Sequence, residues 1–432
     1  MFVPDIELET AEEISQFQLV KLQEQLQYLH ENSPYYMRFF KQHGINVNAV
    51  KSFSDFAKIP FTSKETFHTH NDEFLCVEKG DVAEYTSTSG TTGKPVTIAL
   101  TEDDLDRLAY NEFISFCCAD GTDEDVYQLM LTLDKQFMAG MAYYAGIREL
   151  GATVIRTGPG APQFQIESIQ RYGTTVLVGV PSFLLKLIEY AEANAIDLNN
   201  LSVKKVVCIG EAVRGLDLQP NVLHQKISAK WNVQLYSTYA STEMQTAFTE
   251  CGYGCGGHHH PELIYAEIIG EDGQQVAPGE YGEVVVTTLN VEAMPLLRYQ
   301  TGDICTYYTE PCECGRNTIR LSPVAGRKNQ LIKFKGTTLY PTSVFNVLNE
   351  IKEIEDYILE VTTNDTGTDE LIVHLILRDS QPGVKENIAH AFQSALRVLP
   401  QIVVSGANEF AAMRKPDVNR KLVRFVDSRS KA

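Results

Sequence analysis

A basic surface is the first thing this chain lacks. Acidic residues outnumber basic ones, 56 against 37, and the formal charge is −19. Nucleic acids and anionic membranes both need a cationic face, so no nucleic acid and no membrane is expected as a partner. Long apolar runs are missing as well, since no stretch approaches the ~18 consecutive apolar residues of a membrane helix. The opening MFVPDIELETAEE is acidic and holds no apolar signal core, so the expectation is a cytoplasmic protein. The nine cysteines are scattered, apart from a cluster between Cys251 and Cys314. Without an export signal they point to metal binding rather than to disulfides. Internal repeats and low-complexity segments are absent too. An acidic chain can still hold an anionic nucleotide, because a few local cations and backbone N–H groups suffice.

What is present is ordinary for a globular protein, with 44% hydrophobic and 22% charged residues. A length of 432 residues favours two or three domains. Ile14, Phe17, Leu19, Leu22, Leu26 and Leu29 recur mostly at three- and four-residue intervals, which predicts an amphipathic helix over 9–31. Apolar β-rich runs follow at Val126–Leu133, Thr153–Ile155, Thr175–Val178, Val203–Ile209 and Val233–Tyr239, with helical patterns such as Ser182–Asn194 between them. That alternation predicts parallel strands and an α/β architecture. From about Ala266 the texture changes. Tyr265–Ile269, Gly282–Leu289 and Asp303–Tyr308 read as antiparallel strands, a distorted β-subdomain. A compact β-β-α-β pattern ends the chain: Tyr357–Thr362, Leu371–Leu377, helix Val384–Val398 and Ile402–Val404. The fold class is therefore α/β, with a large N-terminal domain of mixed sheets and helices, residues 1–327, and a small α+β domain, residues 328–432.

Ser87-Thr88-Ser89-Gly90-Thr91-Thr92-Gly93-Lys94-Pro95 sits between a β-like start and the β-prone Val96–Leu100. Glycines let the backbone approach an anion, hydroxyls and N–H groups supply donors, and Lys94 adds a charge. A Walker loop is excluded by the spacing and by Pro95, which stands where a magnesium-binding Ser or Thr would be. The plain alternative is a Ser/Gly hairpin turn. The string resembles the phosphate loop of the adenylate-forming superfamily, which includes acyl-CoA synthetases, luciferases and peptide-synthetase adenylation domains, and which folds it over ATP.

Further motifs follow in that superfamily's order. Tyr239-Ala240-Ser241-Thr242-Glu243 resembles its Tyr-Gly-x-Thr-Glu motif, implying an aromatic at adenine, Thr242 at the α-phosphate and Glu243 on Mg2+. Alone, this string also reads as a capping Ser or Thr with a Glu in a first helical turn. Arg298-Tyr299-Gln300-Thr301-Gly302-Asp303 resembles the Arg-Tyr-x-Thr-Gly-Asp motif, in which the acceptor-only carboxylate of Asp303 holds the ribose hydroxyls. Gly326-Arg327 opens a segment like the one joining the two domains, with Arg327 at the ribose or phosphate. Asn329 stands where the hinge Asp or Lys is usual. Arg420-Lys421 opens a stretch like the terminal Gly-Lys-x-x-Arg-x-x-Asp, with Arg420 in the glycine's place and Lys415 nearby as a competitor. This makes Lys421 the lysine that bridges substrate carboxylate and α-phosphate. Gly210-Glu211 occupies the adenine-side loop.

Glu31–Tyr36, the segment Ile59-Pro60-Phe61-Thr62-Ser63-Lys64-Glu65 and the overall length are similar to phenylacetate–CoA ligases. In that branch Phe137, Met138, Met141 and Tyr143 fall on the aryl-pocket helix, although each is equally a core residue by its type. Cys251, His258, Cys312 and Cys314 offer soft ligands for a structural zinc, with Cys255, His259 and His260 as substitutes. The resemblance implies an acid–CoA ligase. ATP activates an aryl or arylacetic carboxylate as acyl-AMP, and coenzyme A then takes the acyl group after the small domain rotates and brings Lys335-Gly336 to the adenylate. Loading of a carrier-protein thiol or transfer of AMP is the alternative within enzymes. A non-catalytic nucleotide- and zinc-binding interaction protein is the alternative outside them. The branch suggests a homodimer.

Overall fold

A computed structural model describes residues 2–88, 96–334, 337–364, 369–378, 383–414 and 424–429. They fall into two compact units: the first spans 2–88, 96–301 and 305–324, the second 302–304 and 325 onward.

The first unit is organised by strands Val126–Leu129, Thr153–Arg156, Val176–Gly179, Lys205–Cys208 and Gln234–Ser241. They pair in parallel, with Thr153–Arg156 outermost, then Val126–Leu129, Val176–Gly179, Lys205–Cys208 and Gln234–Ser241. Side chains alternate between two cores, as a two-residue period demands. Leu177, Val206 and Leu235 join Ile166, Leu184 and Leu187 from helices Pro162–Tyr172 and Pro181–Ala193. Val176, Val178, Val207 and Tyr236 join Phe116, Tyr143 and Ile147 from helices Glu102–Cys118 and Met138–Glu149. Burial on both faces explains why these strands read as continuous apolar runs.

Beyond Gln234–Ser241 the sheet turns antiparallel through Thr246–Thr249, Gly257–His258, Arg320–Leu321 and Tyr307–Tyr308. Ile264–Ile269, Gly282–Thr288 and Tyr299–Cys305 neighbour one another in a separate sheet. Arg298 at its start is nearly sealed from solvent and adopts a left-handed φ of 44°. Its guanidinium makes two 2.9 Å bonds to Glu267, donates to the Ala57 and Ile59 carbonyls, and lies 4.3 Å from the Phe61 ring centroid.

The second unit has the expected β-β-α-β run, and the pattern did not announce the added strand Phe425–Asp427 or the separate antiparallel pair Ile332–Phe334 and Thr337–Leu339. Its sheet orders Gln401–Val404, Asp369–Leu377, Ile354–Thr363 and Phe425–Asp427. Helices Pro341–Glu350 and Val384–Leu396 supply Val344, Leu348, Ile388 and Phe392 to its own core.

Helices Glu102–Cys118 and Met138–Glu149 approach closely because position 146 is glycine; a Cβ there would lie 2.4 Å from Glu112 Cβ. Glu112 is thereby trapped with Asn111 Nδ2 at 3.1 Å, and burial pushes its carboxyl from 4.5 up to about 8. The folded state then keeps a proton that the unfolded chain has lost, so stability falls as pH rises from 4.5 to about 8. Chemical denaturation across that range should show this decline flattened in Glu112→Gln. Arg298→Met should cost about 3–5 kcal/mol in urea unfolding, because Glu267 is left buried and unpaired.

Candidate active site

Parallel pairing puts the C-terminal ends of neighbouring strands along one edge, where open α/β sheets bind ligands. Leu129 leads to Phe137 and helix Met138–Glu149, Gly179 to helix Pro181–Ala193, Cys208 to Gly210-Glu211, and Ser241 to Thr242-Glu243. Gly210 has φ 74°, a conformation that a side chain would strain. Glu211 accepts from the Ser182 backbone N–H at 3.0 Å and from its hydroxyl at 3.1 Å, tying two adjacent strand ends together.

Tyr239, Ala240 and Ser241 lie on a strand that pairs with Thr246–Thr249, and residues 242–245 form the hairpin turn. The segment is thus a tight β-turn rather than a capped helix. Gln245 takes the positive φ, 50°, that closes it, and the Ser241 hydroxyl accepts from Met244 N–H at 3.3 Å. Tyr239 stacks 5.9 Å from Phe248. Glu243 is largely buried, and Lys64 Nζ lies 3.1 Å from its Oε1. This partner was not legible in the sequence, where Lys64 stood only in a segment shared with relatives.

Strands Glu84–Ser87 and Thr97–Leu100, which flank the hydroxyl-rich string in sequence, pair antiparallel. Thr88 N–H donates to the Val96 carbonyl at 3.0 Å, and Val96 N–H returns to Thr88 Oγ1 at 2.9 Å. Ser87 N–H bonds the Gln136 carbonyl at 3.1 Å, joining this hairpin to the residue before Phe137. Ser89, Gly90, Thr91, Thr92, Gly93 and Lys94 lie outside the described residues.

The residues expected in an aryl pocket do not share one environment. Met138 is buried in the core that includes Leu108, Met244 and Phe248. Tyr143 is buried in the other core, 5.8 Å from Phe116, and Phe137 packs against that same core. Met141 faces solvent.

In the second unit Arg327 Nε donates to Asp303 Oδ1 at 3.0 Å across a strand pair, with the carboxylate nearly buried and the guanidinium partly open. The Asn329 carbonyl accepts from Arg429 at 3.3 Å. Lys335, Gly336 and Lys421 lie outside the described residues.

The cysteine-rich segments converge although they are distant in sequence. Donor atoms of Cys251, Cys255, His258 and Cys312 lie within 4.8 Å of one another, and Cys314 Sγ is 3.5 Å from His258 Nε2. Cys255, expected only as a substitute, is thus one of the group. Hydrogen bonds from Cys251 hold the Cys255 and Cys314 thiols below the ordinary thiol range, while those contacts and burial hold Cys251 above it. Soft donor atoms this close together suit a soft cation. The other two histidines point elsewhere. His259 bonds the Ile264 carbonyl at 2.6 Å, and His260 pairs with buried Glu7 at 2.5 Å. Glu7 also holds Arg316 at 2.6 Å, and Arg316 reaches Cys314 Sγ at 3.6 Å.

Known proteins resemble this chain over most of its length. The phenylacetate-coenzyme A ligase of Thermus thermophilus is 28% identical over 395 residues, 89% of this chain and 86% of that one. The Escherichia coli protein of the same name is 27% identical, over 87% and 85% of the two chains. A 2-hydroxyisobutyryl-CoA ligase solved with an acyl-AMP shares the fold, with a TM-score of 0.84 and 21% identity across 98% of this chain and 92% of that one. The AMP-binding enzyme family model matches residues 27–293, more than half of the sequence, and the chain belongs to that family.

Proposed function

We propose that this chain is an AMP-forming acid–CoA ligase for an aryl or arylacetic acid. The observation that carries the reading is the row of motif residues along one edge of the parallel sheet: Gly210-Glu211 and Thr242-Glu243 leave adjacent strand ends, and the approach to Phe137 and Met138 leaves the strand on the far side of Val176–Gly179. The names of the phenylacetate-coenzyme A ligases similar over most of the chain support it.

A substrate carboxylate oxygen attacks the ATP α-phosphorus. The bond to the β-phosphate oxygen breaks, and pyrophosphate leaves. Positioning and charge neutralisation carry such a step, since little covalent chemistry falls to the protein. Glu243 would hold Mg2+, which supplies charge neutralisation at the phosphates. Its deeply set carboxylate, next to a cation already drawn to it, fits that task. Lys94 and the hydroxyl loop steady the leaving pyrophosphate, and Lys421 offsets charge at phosphorus. Asp303 and Arg327 hold the ribose side. The coenzyme A thiol then attacks the acyl carbonyl, loses its proton, and expels AMP.

We further assign a structural zinc to Cys251, Cys255, His258 and Cys312, with Cys314 beside them. Sulfur pairs at 3.3 and 3.6 Å already approach the ~3.8 Å edge of a tetrahedral zinc–thiolate site. Its place in the antiparallel extension makes it a staple for Gly257–His258 and Arg320–Leu321.

Carboxylate-dependent ATP–pyrophosphate exchange with a panel of aryl acids tests the activity, followed by thioester formation with free coenzyme A. Exchange with an aryl acid and consumption of coenzyme A is the expected result; exchange without that consumption would move the acceptor to a carrier protein. Lys421→Ala should lower exchange by about 100-fold or more, on the scale of losing one preorganised charge. Elemental analysis of the purified protein should find one zinc per chain, lost in Cys251→Ser/Cys312→Ser together with a lower thermal midpoint.

A further inference from the structure

The geometry points to Lys64, ion-paired with Glu243, as a binding residue for the β- and γ-phosphates of Mg·ATP. The inference rests on the reading of Glu243 given above.

Exposed ion pairs contribute little and form by chance. This one is different at its acceptor end, because the Glu243 side chain is 9% exposed while Lys64 keeps 37%. A carboxylate so desolvated needs a partner, and a carboxylate offers a second oxygen, Oε2, to a second cation.

The backbone carrying Lys64 is held on several sides. Thr62 N–H bonds the Arg298 carbonyl at 3.0 Å, Gln300 N–H bonds the Thr62 carbonyl at 2.9 Å, and Thr62 Oγ1 bonds the Leu297 carbonyl at 2.7 Å. Ser63 caps helix Lys64–Thr69 through Thr66 N–H at 3.2 Å. Just past that helix, Asn71 Nδ2 bonds the Thr97 carbonyl at 2.9 Å, on the strand that leaves the hydroxyl-rich loop. Lys64 is therefore fixed between the loop's hairpin and the Glu243 turn. Its four-carbon stem can swing the ammonium without moving this frame.

A magnesium ion held by Glu243 would leave two cations on one carboxylate, which repel each other. The ammonium would then be drawn to the several negative charges of the β- and γ-phosphates. AMP has no such phosphates, so the contact discriminates ATP from AMP.

Isothermal titration of the full-length protein with Mg·ATP and with AMP tests this. In Lys64→Met the affinity for Mg·ATP should fall by about tenfold or more, the scale of one partly screened charge contact, while AMP binds as before. Lys64→Arg should recover most of the loss, and Lys64→Gln serves if the Met variant does not fold. Equal affinity of all variants for Mg·ATP, or equal losses for ATP and AMP, overturns the inference. If the wild-type chain binds neither nucleotide, the functional reading falls, and the inference with it.

Discussion

Parallel pairing of strands Val126–Leu129 through Gln234–Ser241 is the constraint on which the first unit depends. Parallel neighbours cannot be joined by tight turns, so each connection must cross the sheet, and helices provide the crossings. Those helices seal both faces, which makes the strands mostly apolar, and the buried exception Gln128 is bonded to Gln165 and Thr174. The polar residues that a site needs then gather at strand ends. This is why Gly210, Glu211, Thr242 and Glu243, separated in sequence, leave adjacent strands at one edge.

Outside that sheet, order comes from buried cations. Arg298 joins Glu267 to the carbonyls of residues 57 and 59, and Arg107 binds the carbonyls of Leu289, Gln245 and Leu263. Each guanidinium spends its fixed fork of donors on segments with no common sheet. Glu7 does the converse: it lies wholly buried between Arg316 and His260 and draws the start of the chain onto the cysteine-rich segments. Arg107 in particular fixes the Gln245 carbonyl, and with it the far end of the turn that holds Glu243. The irregular regions thus constrain the site as much as the sheet does.

The strand–helix alternation was legible because period and turn residues are local properties. Boundaries shifted by up to four residues; Val126–Leu133, for example, shortens to Val126–Leu129 as the chain leaves the sheet at its C-terminal edge. The turn at Glu243 was less legible, since Ser-Thr-Glu also spells a helix start and only pairing with Thr246–Thr249 selects the hairpin. The Lys64 contact was not legible at all, because it joins residues 179 positions apart.

By itself the sequence determined the fold class, the order of its motifs and the family they resemble, because these depend on local patterns and on strings of neighbouring residues. Only the tertiary structure decided which side chains meet. It gathered Cys255 with Cys251, His258 and Cys312, and it turned His259 and His260 to other partners. It sent Met138, Tyr143 and Met141 to three different surroundings, and it set Lys64 on Glu243. Such contacts arise from packing between distant segments, and no spacing along the chain encodes them.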